Sequence, residues 1–301
     1  MKSVVSYPER GPWGDSHYRG NCSGYLIKDI IEQYNIKSLS DYMVGSGTTE
    51  DVCKDLNVDG TFLDLNRGFD MLNMDIPERP ENLFWHPPYG SIIGYRNEKG
   101  SCGIKNIDKE KTFGIDGDKC DLSRNQNWDD FVKEMNYCLY KQFTAMEKGG
   151  RMFVLMGDIK KKGVLYSMLA NIAKPGTLEQ IIIKMQHNCV SNSNTYANNN
   201  FVPIVHEYLM VLRKDSSLII PIYETIKSEI DVRKSYGITW RDMIHAIIEN
   251  NKEAMSLSEI YGKVSSTLKA RNNPHWKDKV RQTVQDSRYF KRIRTGTYQA
   301  A

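Results

Sequence analysis

Ser38-Leu39-Ser40-Asp41-Tyr42-Met43-Val44-Gly45-Ser46-Gly47-Thr48-Thr49 is the stretch that decides how this chain folds. A short strand is expected over Ser38 to Met43, running into a glycine turn, with a helix following from Thr48 or Thr49 through Leu56. Glycines in such a turn let backbone N–H groups come close to a small ligand. Outward from it, Thr61-Phe62-Leu63-Asp64-Leu65 reads as the next strand, closing on an acidic residue. About forty residues after the turn, the short buried strand Leu83-Phe84-Trp85 delivers His86-Pro87-Pro88-Tyr89. Two prolines followed by an aromatic make a rigid extended corner with a flat ring at its end.

Upstream of the turn, Leu26, Ile27, Ile30, Ile31 and Tyr34 recur at a helical period. Downstream, Trp128 to Met146 is expected to form an amphipathic helix, Arg151 to Met156 a buried strand and Val164 to Ile172 a helix. Leu178 to Met185 and Glu207 to Leu212 are two further expected strands. Strands alternating with helices imply a mostly parallel sheet covered on both faces. Gly90 to Asn127 is polar and glycine-rich and reads as a long loop over the site, either a functional lid or disordered. The polar tract Ser191 to Asn200 is either a disordered loop or one that contacts DNA. No internal repeat is present.

At 301 residues, with 40% hydrophobic and 26% charged residues, the chain has room for one large core and a small module and the balance of a soluble globular protein. No run approaches the roughly 20 apolar residues that span a bilayer, and the N-terminus lacks an apolar signal region. Cys22, Cys53, Cys102, Cys120, Cys138 and Cys189 form no CxxC pair, which points to reduced thiols in a cytoplasmic protein. Cys102 and Cys120 lack a second pair of ligands, so no metal is expected.

The net charge of +4 is unevenly spread. Lys269 to Arg294 holds nine Lys or Arg against two Asp, with Trp276, Tyr289 and Phe290 interleaved. Around it, helices are expected at Trp240 to Glu249, from Ser256 or Ser258 through Val264, and at Pro274 to Gln285, then a ribbon from Tyr289 to Tyr298 turning near Thr295-Gly296. This order resembles a winged helix, with a small helical dimerisation module as the alternative. The expected division is 1–214 for the α/β domain, 215–235 for a linker and 236–301 for the C-terminal module.

A glycine turn followed by a Pro-Pro-Tyr corner, in this order and spacing, resembles the S-adenosylmethionine-dependent amino-methyltransferases of DNA, which modify adenine N6 or cytosine N4. The resemblance covers roughly residues 18–214. It implies the class I methyltransferase fold, a Rossmann-like seven-stranded sheet flanked by helices. It implies that Gly45, Ser46, Gly47, Thr48 and Thr49 cradle the cofactor at a helix N-terminus, and that Asp41 lies near its positively charged part. Asp64 would accept hydrogen bonds from the ribose hydroxyls. Asp70 would approach the adenine amino group, with Asp75 as a rival. Asn21 and Ser23 would close over the methionine end, or serve as plain capping residues. The family's usual Asp-Pro-Phe is here Asp41-Tyr42-Met43, which keeps the aspartate and alters its neighbours.

The target amino nitrogen is a poor nucleophile because its lone pair is delocalised into the ring. Acceptors that hold its two hydrogens expose that lone pair, a case of electrostatic preorganisation. The resemblance gives this work to the Pro87 carbonyl and to the first residue of the corner. Most relatives carry Asn, Asp or Ser at that position; here it is His86. A neutral imidazole accepts through one nitrogen and an imidazolium through none, so activity is expected to fall as pH drops through the His86 pKa. Pro88 stiffens the corner, and Tyr89 would stack on a base flipped out of its duplex.

Sequence reading by the enzyme would then fall to the Gly90–Asn127 loop and to Trp276, Lys277, Lys279 and Arg281 on a recognition helix, with Lys291, Arg292 and Arg294 on a wing. DNA is the implied partner, a cognate restriction nuclease a further candidate, and a membrane is not expected. Three readings stand. The first is a DNA amino-methyltransferase, adenine N6 ahead of cytosine N4. The second is an RNA or protein methyltransferase, since a related corner serves glutamine methylation. The third is a non-catalytic DNA-binding regulator that kept the fold.

Overall fold

The computed structural model describes residues 1–18, 20–89, 119–124, 127–187, 202–235 and 237–301. They form two compact units, Met1–Thr225 and Ile226–Ala301. The expected loop Gly90–Asn127 lies almost wholly outside the described residues, and the tract Ser191–Asn200 lies entirely outside them.

The first unit is a mixed α/β layer structure. Its strands are β1 (Val4–Ser6), β2 (Leu83–Trp85), β3 (Arg151–Met156), β4 (Ile159–Lys161), β5 (Val164–Tyr166), β6 (Lys174–Pro175), β7 (Thr177–Met185), β8 (His206–Arg213) and β9 (Ile222–Tyr223). The main sheet has the order β1-β7-β8-β3-β2. β1 pairs parallel with β7 and β2 parallel with β3, while β8 runs antiparallel to both of its neighbours. At the β2 edge the sheet is continued by two short segments. Parallel bridges join Ser40 to Leu83, Asp41 to Phe62 and Ser38 to Asp59. Hydrogen bonds from Leu39 N to Asp59 O (2.8 Å) and from Leu63 N to Asp41 O (2.9 Å) fix their register. Among the described residues the hydrogen-bonded main sheet has five strands, and the 38–41 and 59–62 segments extend it through single parallel bridges.

Two apolar clusters cover the two faces of the sheet. Side chains alternate across a strand, so Met152, Val154 and Met156 of β3 face one way, with Leu83, Trp85, Met210 and Leu212. Helix α3 (Trp128–Ala145) packs there through Phe131, Met135, Leu139 and Phe143. Phe153 and Leu155 face the other way, with Phe84, Leu209 and Val211. Helix α1 (Gly24–Tyr34) covers them with Leu26, Ile27, Ile30 and Ile31, and α2 (Thr48–Leu56) adds Val52 and Cys53. Burial on both faces explains why Arg151–Met156 reads as an unbroken apolar run rather than an alternating one.

The helix expected over Val164 to Ile172 is not formed. β4 and β5 instead make an antiparallel hairpin about Lys162-Gly163, both left-handed at φ 50° and 79°. Such a pair of positive φ values suits a two-residue hairpin turn, and β-branched Val164 favours the strand that leaves it. Only one helical turn survives, α4 (Met168–Asn171), capped by Ser167.

The expected linker 215–235 is divided in two. β9 pairs antiparallel with β6, Tyr140 Oη donates to Glu224, and Thr225 Oγ1 donates to the Ala170 carbonyl. The chain therefore stays docked on the first unit to Thr225. The apolar residues Ile226 and Ile230 beyond it are exposed.

The second unit runs α5 (Trp240–Asn250), β10 (Met255–Ser256), α6 (Leu257–Val264), α7 (Leu268–Arg271), α8 (Trp276–Thr283), β11 (Phe290–Arg294) and β12 (Thr297–Ala300). Its three strands are antiparallel in the order β10-β12-β11. Thr239 caps α5, and Ser256 with Glu259 forms a capping box on α6. Met243, Ile244, Ile248, Ile260, Val264, Val280, Phe290 and Tyr298 make its own core. Among the described residues no helix is long and apolar enough to cross a membrane.

Candidate active site

Gly45 and Gly47 hold the turn with φ of 53° and 91°, and Gly47 caps the N-terminus of α2. Only glycine adopts such angles without strain. Thr48 and Thr49 follow, both buried. The Asp41 carboxylate, 2% exposed, accepts from Thr49 Oγ1 at 2.7 Å and from Met43 N at 3.0 Å. Burial outweighs these donors and pushes its carboxyl up to about 7. Asp64 accepts from Gly45 N at 3.0 Å and from Asn66 N at 2.8 Å, so the acidic strand end is tied directly to the glycine turn. Burial raises its pKa against those same donors.

The N-terminal segment packs across this turn. Gly14 N donates to Asp51 at 2.9 Å and Trp13 Nε1 to Asp55 at 2.6 Å, both on α2. A Cβ at Gly45 would lie 2.9 Å from the Tyr18 ring. The Asn21 side chain accepts from Thr48 Oγ1 and donates to the Asp15 carbonyl at 2.9 Å. Ser23 instead donates to the Glu9 carbonyl at 2.8 Å and makes no side-chain cap on α1. Asp70 organises its own turn, accepting from Leu72 N, Asn73 N and Asn73 Nδ2. Burial would raise its carboxyl, but hydrogen bonds from Cys120 and Asn73 and the backbone amides hold it below the usual value. Its rival Asp75 is exposed.

The bridges align the two halves of the site. Counting on from Ser40↔Leu83 and Asp41↔Phe62, Met43 comes level with His86 on one side and with Asp64 on the other. Trp85 Nε1 donates to Met43 Sδ at 3.1 Å, which confirms the proximity. Asp64 with its glycine turn and His86 therefore come together at the carboxyl ends of adjacent parallel segments, where open α/β sheets bind ligands. Cys22 joins them, since its buried thiol lies within electrostatic range of Lys184, Glu207 and Asp41; burial pushes it up to about 12.

Behind the corner runs a polar chain that sequence reasoning missed. Lys184 Nζ on β7 donates to Glu207 Oε2 on β8 at 2.6 Å. Tyr89 Oη donates to Glu207 Oε1 at 2.7 Å and lies 3.1 Å from His86 Nε2. His86 Nε2 is 3.8 Å from Glu207 Oε1. Burial alone would raise the Glu207 carboxyl, but the Lys184 ammonium and the hydrogen bonds from Lys184 and Tyr89 hold it at about 2. Burial pushes the His86 imidazole below its usual value, with Glu207 opposing and Lys184 adding to the shift. Tyr89 is itself buried, 8% exposed, so a base stacked on its ring must first displace what covers it. The one signal for this chain in the sequence is a lone Lys184 ending the apolar run Ile181-Ile182-Ile183. His206-Glu207 is legible as a strand start but not as a partner of Tyr89.

Beyond β3, Asp158 accepts from Ser167 Oγ at 2.9 Å, and Lys161 and Lys162 are exposed on the β4–β5 hairpin. Among the described residues no cluster of His, Cys, Asp or Glu could hold a metal ion. Cys22, Cys53 and Cys138 are free thiols, Cys120 lies against Asp70 and Asn73, and Cys102 and Cys189 lie outside the described residues.

In the second unit, Lys277, Lys279 and Arg281 are exposed on α8, and Lys291, Arg292 and Arg294 are exposed on β11. Trp276 is half-buried, edge-on to Tyr261 with ring centroids 5.6 Å apart, so it supports the helix more than it projects from it. Lys277 Nζ lies over both rings.

No protein-family model and no characterised sequence matches the chain. Among solved structures it is similar to TrmN from Thermus thermophilus, at 10% identity and a TM-score of 0.29 over 65% of this chain and 50% of that one. The chain thus spans about half the length of TrmN. It is also similar to a SAM-dependent methyltransferase from Archaeoglobus fulgidus, at 9% identity and a TM-score of 0.31 over 65% and 96% of the two chains. A third is the glycopeptide N-methyltransferase MtfA complexed with S-adenosyl-L-methionine, at 10% identity and a TM-score of 0.27 over 72% and 79%. Superpositions this distant leave the functional reading to the residues themselves.

Proposed function

We propose that this chain transfers a methyl group from S-adenosylmethionine to the exocyclic amino group of a nucleobase in DNA, adenine N6 ahead of cytosine N4. The observation that carries this reading is the alignment of Asp64 and His86 on either side of Met43, with the glycine turn tied to Asp64.

The residues present fit the cofactor. Asp64 uses one lone pair of each oxygen on Gly45 and Asn66, and the remaining ones suit a vicinal diol. Asp41 is a buried carboxylate whose partners among the described residues are the Thr49 hydroxyl and the Met43 amide, which suits a cationic neighbour. The α2 N-terminus, with Thr48 and Asn21 beside it, suits a carboxylate. When bound, S-adenosylmethionine supplies an electrophilic methyl group on a sulfonium centre. His86 and the Pro87 carbonyl accept the two amino hydrogens and so free the nitrogen lone pair. Burial keeps the imidazole neutral and able to accept.

The second unit acts as a winged helix on the duplex. Its order of helix, strand, three helices (α7 a single turn) and hairpin, with the sheet order β10-β12-β11, supports this, as do six exposed cations on α8 and β11. Extruding the base costs roughly a few kcal/mol, offset by such phosphate contacts.

The test is to map modified bases in DNA from cells expressing the chain, beside a His86→Ala control. Methylated adenine or cytosine at a defined site, lost in the control, is the expected outcome. Modification confined to RNA or protein, or unchanged in the control, overturns the reading.

A further inference from the structure

Four side chains from three segments, Lys184, Glu207, Tyr89 and His86, form one continuous line of hydrogen bonds, buried as far as Tyr89 and partly exposed at His86. The direction of each bond follows from what each group is able to give. The Lys184 ammonium only donates, and it does so to Glu207 Oε2 at 2.6 Å. An ionised Glu207 only accepts, so the single hydrogen of Tyr89 Oη goes to Oε1 at 2.7 Å. The Tyr89 oxygen is then left facing His86 Nε2 with a lone pair at 3.1 Å. A bare Nε2 there would oppose that lone pair, and a carboxylate oxygen 3.8 Å away as well. Nε2 must therefore carry a proton. An imidazolium would satisfy the same contact, but Lys184 and Glu207 already neutralise each other and burial disfavours a further charge.

We infer that the Lys184–Glu207–Tyr89 chain fixes His86 as the neutral tautomer protonated on Nε2, leaving Nδ1 as the one lone pair of the ring. Glu207 and Lys184 are thus positioning residues that act through Tyr89. What Nδ1 then does rests on the methyl-transfer reading: it is the acceptor for one amino hydrogen of the substrate base. The opposite tautomer would present an N–H to that hydrogen and block the approach. Tyr89 accordingly serves as the link between strand β8 and the ring as well as a surface for the base. Second partners that select a histidine tautomer are a general device of sites in which only one ring nitrogen works.

The test is nitrogen NMR on the full chain with labelled histidine, the His86 resonances being identified by their loss in His86→Gln. No substrate is needed. The wild-type ring is expected to show Nε2 as the protonated nitrogen and Nδ1 as the bare one. In Glu207→Gln, Lys184 holds the amide oxygen, so the amide NH2 turns to Tyr89. Its hydroxyl then donates to Nε2, and the His86 proton moves to Nδ1. Tyr89→Phe leaves the Lys184–Glu207 pair intact and removes the link, so both tautomers appear. A wild-type ring protonated on Nδ1, or one unchanged tautomer in both variants, overturns the inference. In a methylation assay Glu207→Gln lowers kcat by roughly a hundredfold with KM little changed; equal kcat beside a flipped tautomer overturns the role given to Nδ1. The expected tautomers in a protein that methylates no nucleic acid leave the inference standing and remove the proposed function.

Discussion

The Asp41 carboxylate takes the Thr49 hydroxyl at 2.7 Å while 2% exposed, and among the described residues no cation pairs with it in a salt bridge. Its pKa, about 7 in the fold, stands above the ordinary value of 3.8. A group raised in this way adds stability that is fully present below its unfolded pKa and lost as pH rises through about 7. Wild type is therefore expected to unfold at lower urea at pH 8 than at pH 5. Asn at this position keeps an acceptor for Met43 N and a donor for Thr49 Oγ1. Asp41→Asn should narrow the difference between the two pH values and stabilise the fold at pH 8 by on the order of 2 kcal/mol. The same variant should weaken S-adenosylmethionine binding, as titration calorimetry would register. Equal midpoint shifts with pH in both proteins would refute the electrostatic account.

His86 gives a pH dependence of the opposite sign. Its folded pKa lies below the ordinary 6.5, because burial disfavours the charge while Glu207 opposes and Lys184 adds. Tyr89 and Glu207 touch the ring, Lys184 lies behind them, and the Cys22 thiol stays neutral throughout this range. Stability from the neutral ring is present above the unfolded pKa and lost as pH falls through the folded one. Single-turnover methyl transfer should stay level through neutral pH and decline only below the usual histidine range. His86→Asn, which restores an acceptor oxygen without a titration, should remain active and lose that decline. A decline shared by both proteins would assign it to another group.

Gly45 and Gly47 separate strain from collision. Both are left-handed, but a Cβ at Gly45 meets the Tyr18 ring at 2.9 Å, whereas at Gly47 the nearest atom is Arg67 Nη2 at 3.5 Å. Gly47→Ala is expected to cost about 1–2 kcal/mol of stability from backbone strain alone. Gly45→Ala should cost more, and Tyr18→Ala should recover the excess. Chemical denaturation of the single and double variants measures this. Additive costs would show that Tyr18 yields freely.

Much of the first unit is legible in the sequence because burial leaves a period. The 3.6-residue stripe of α1, the apolar run of β3 and the glycine turn each reflect one local cause. What escaped depends on contacts between distant segments. The β4–β5 hairpin turns on Lys162 adopting φ 50°, which no apolar pattern encodes. Thr225 belongs to the first unit because Ile222–Tyr223 pairs with Lys174–Pro175, some fifty residues earlier. The His86 and Tyr89 corner was visible as a motif. Its buried partners Glu207 and Lys184 lie about a hundred residues away on two strands, and single charges in strands carry no signature of what they touch.

The basic face of the second unit yields the last prediction. Lys277, Lys279 and Arg281 on α8 and Lys291, Arg292 and Arg294 on β11 are exposed, although Arg281 is paired with Asp278 at 2.6 Å and Arg294 Nε donates to Thr297 Oγ1 at 3.2 Å. Surface pairs of this kind contribute about 0–1 kcal/mol and give way readily to phosphate. If these cations meet the DNA backbone, each one lost should reduce the dependence of log Kd on log salt by about 0.9 and weaken binding similarly across sequences. Lys277→Gln, Lys279→Gln and Lys291→Gln should behave in this way in fluorescence anisotropy at several salt concentrations. Trp276→Ala should act differently. Its ring is edge-on to Tyr261 under Lys277, so its removal loosens the packing of α8 on α6 and lowers the stability of the unit. Unchanged salt slopes in the lysine variants would take this surface off the duplex, whatever the fate of the methyl-transfer site.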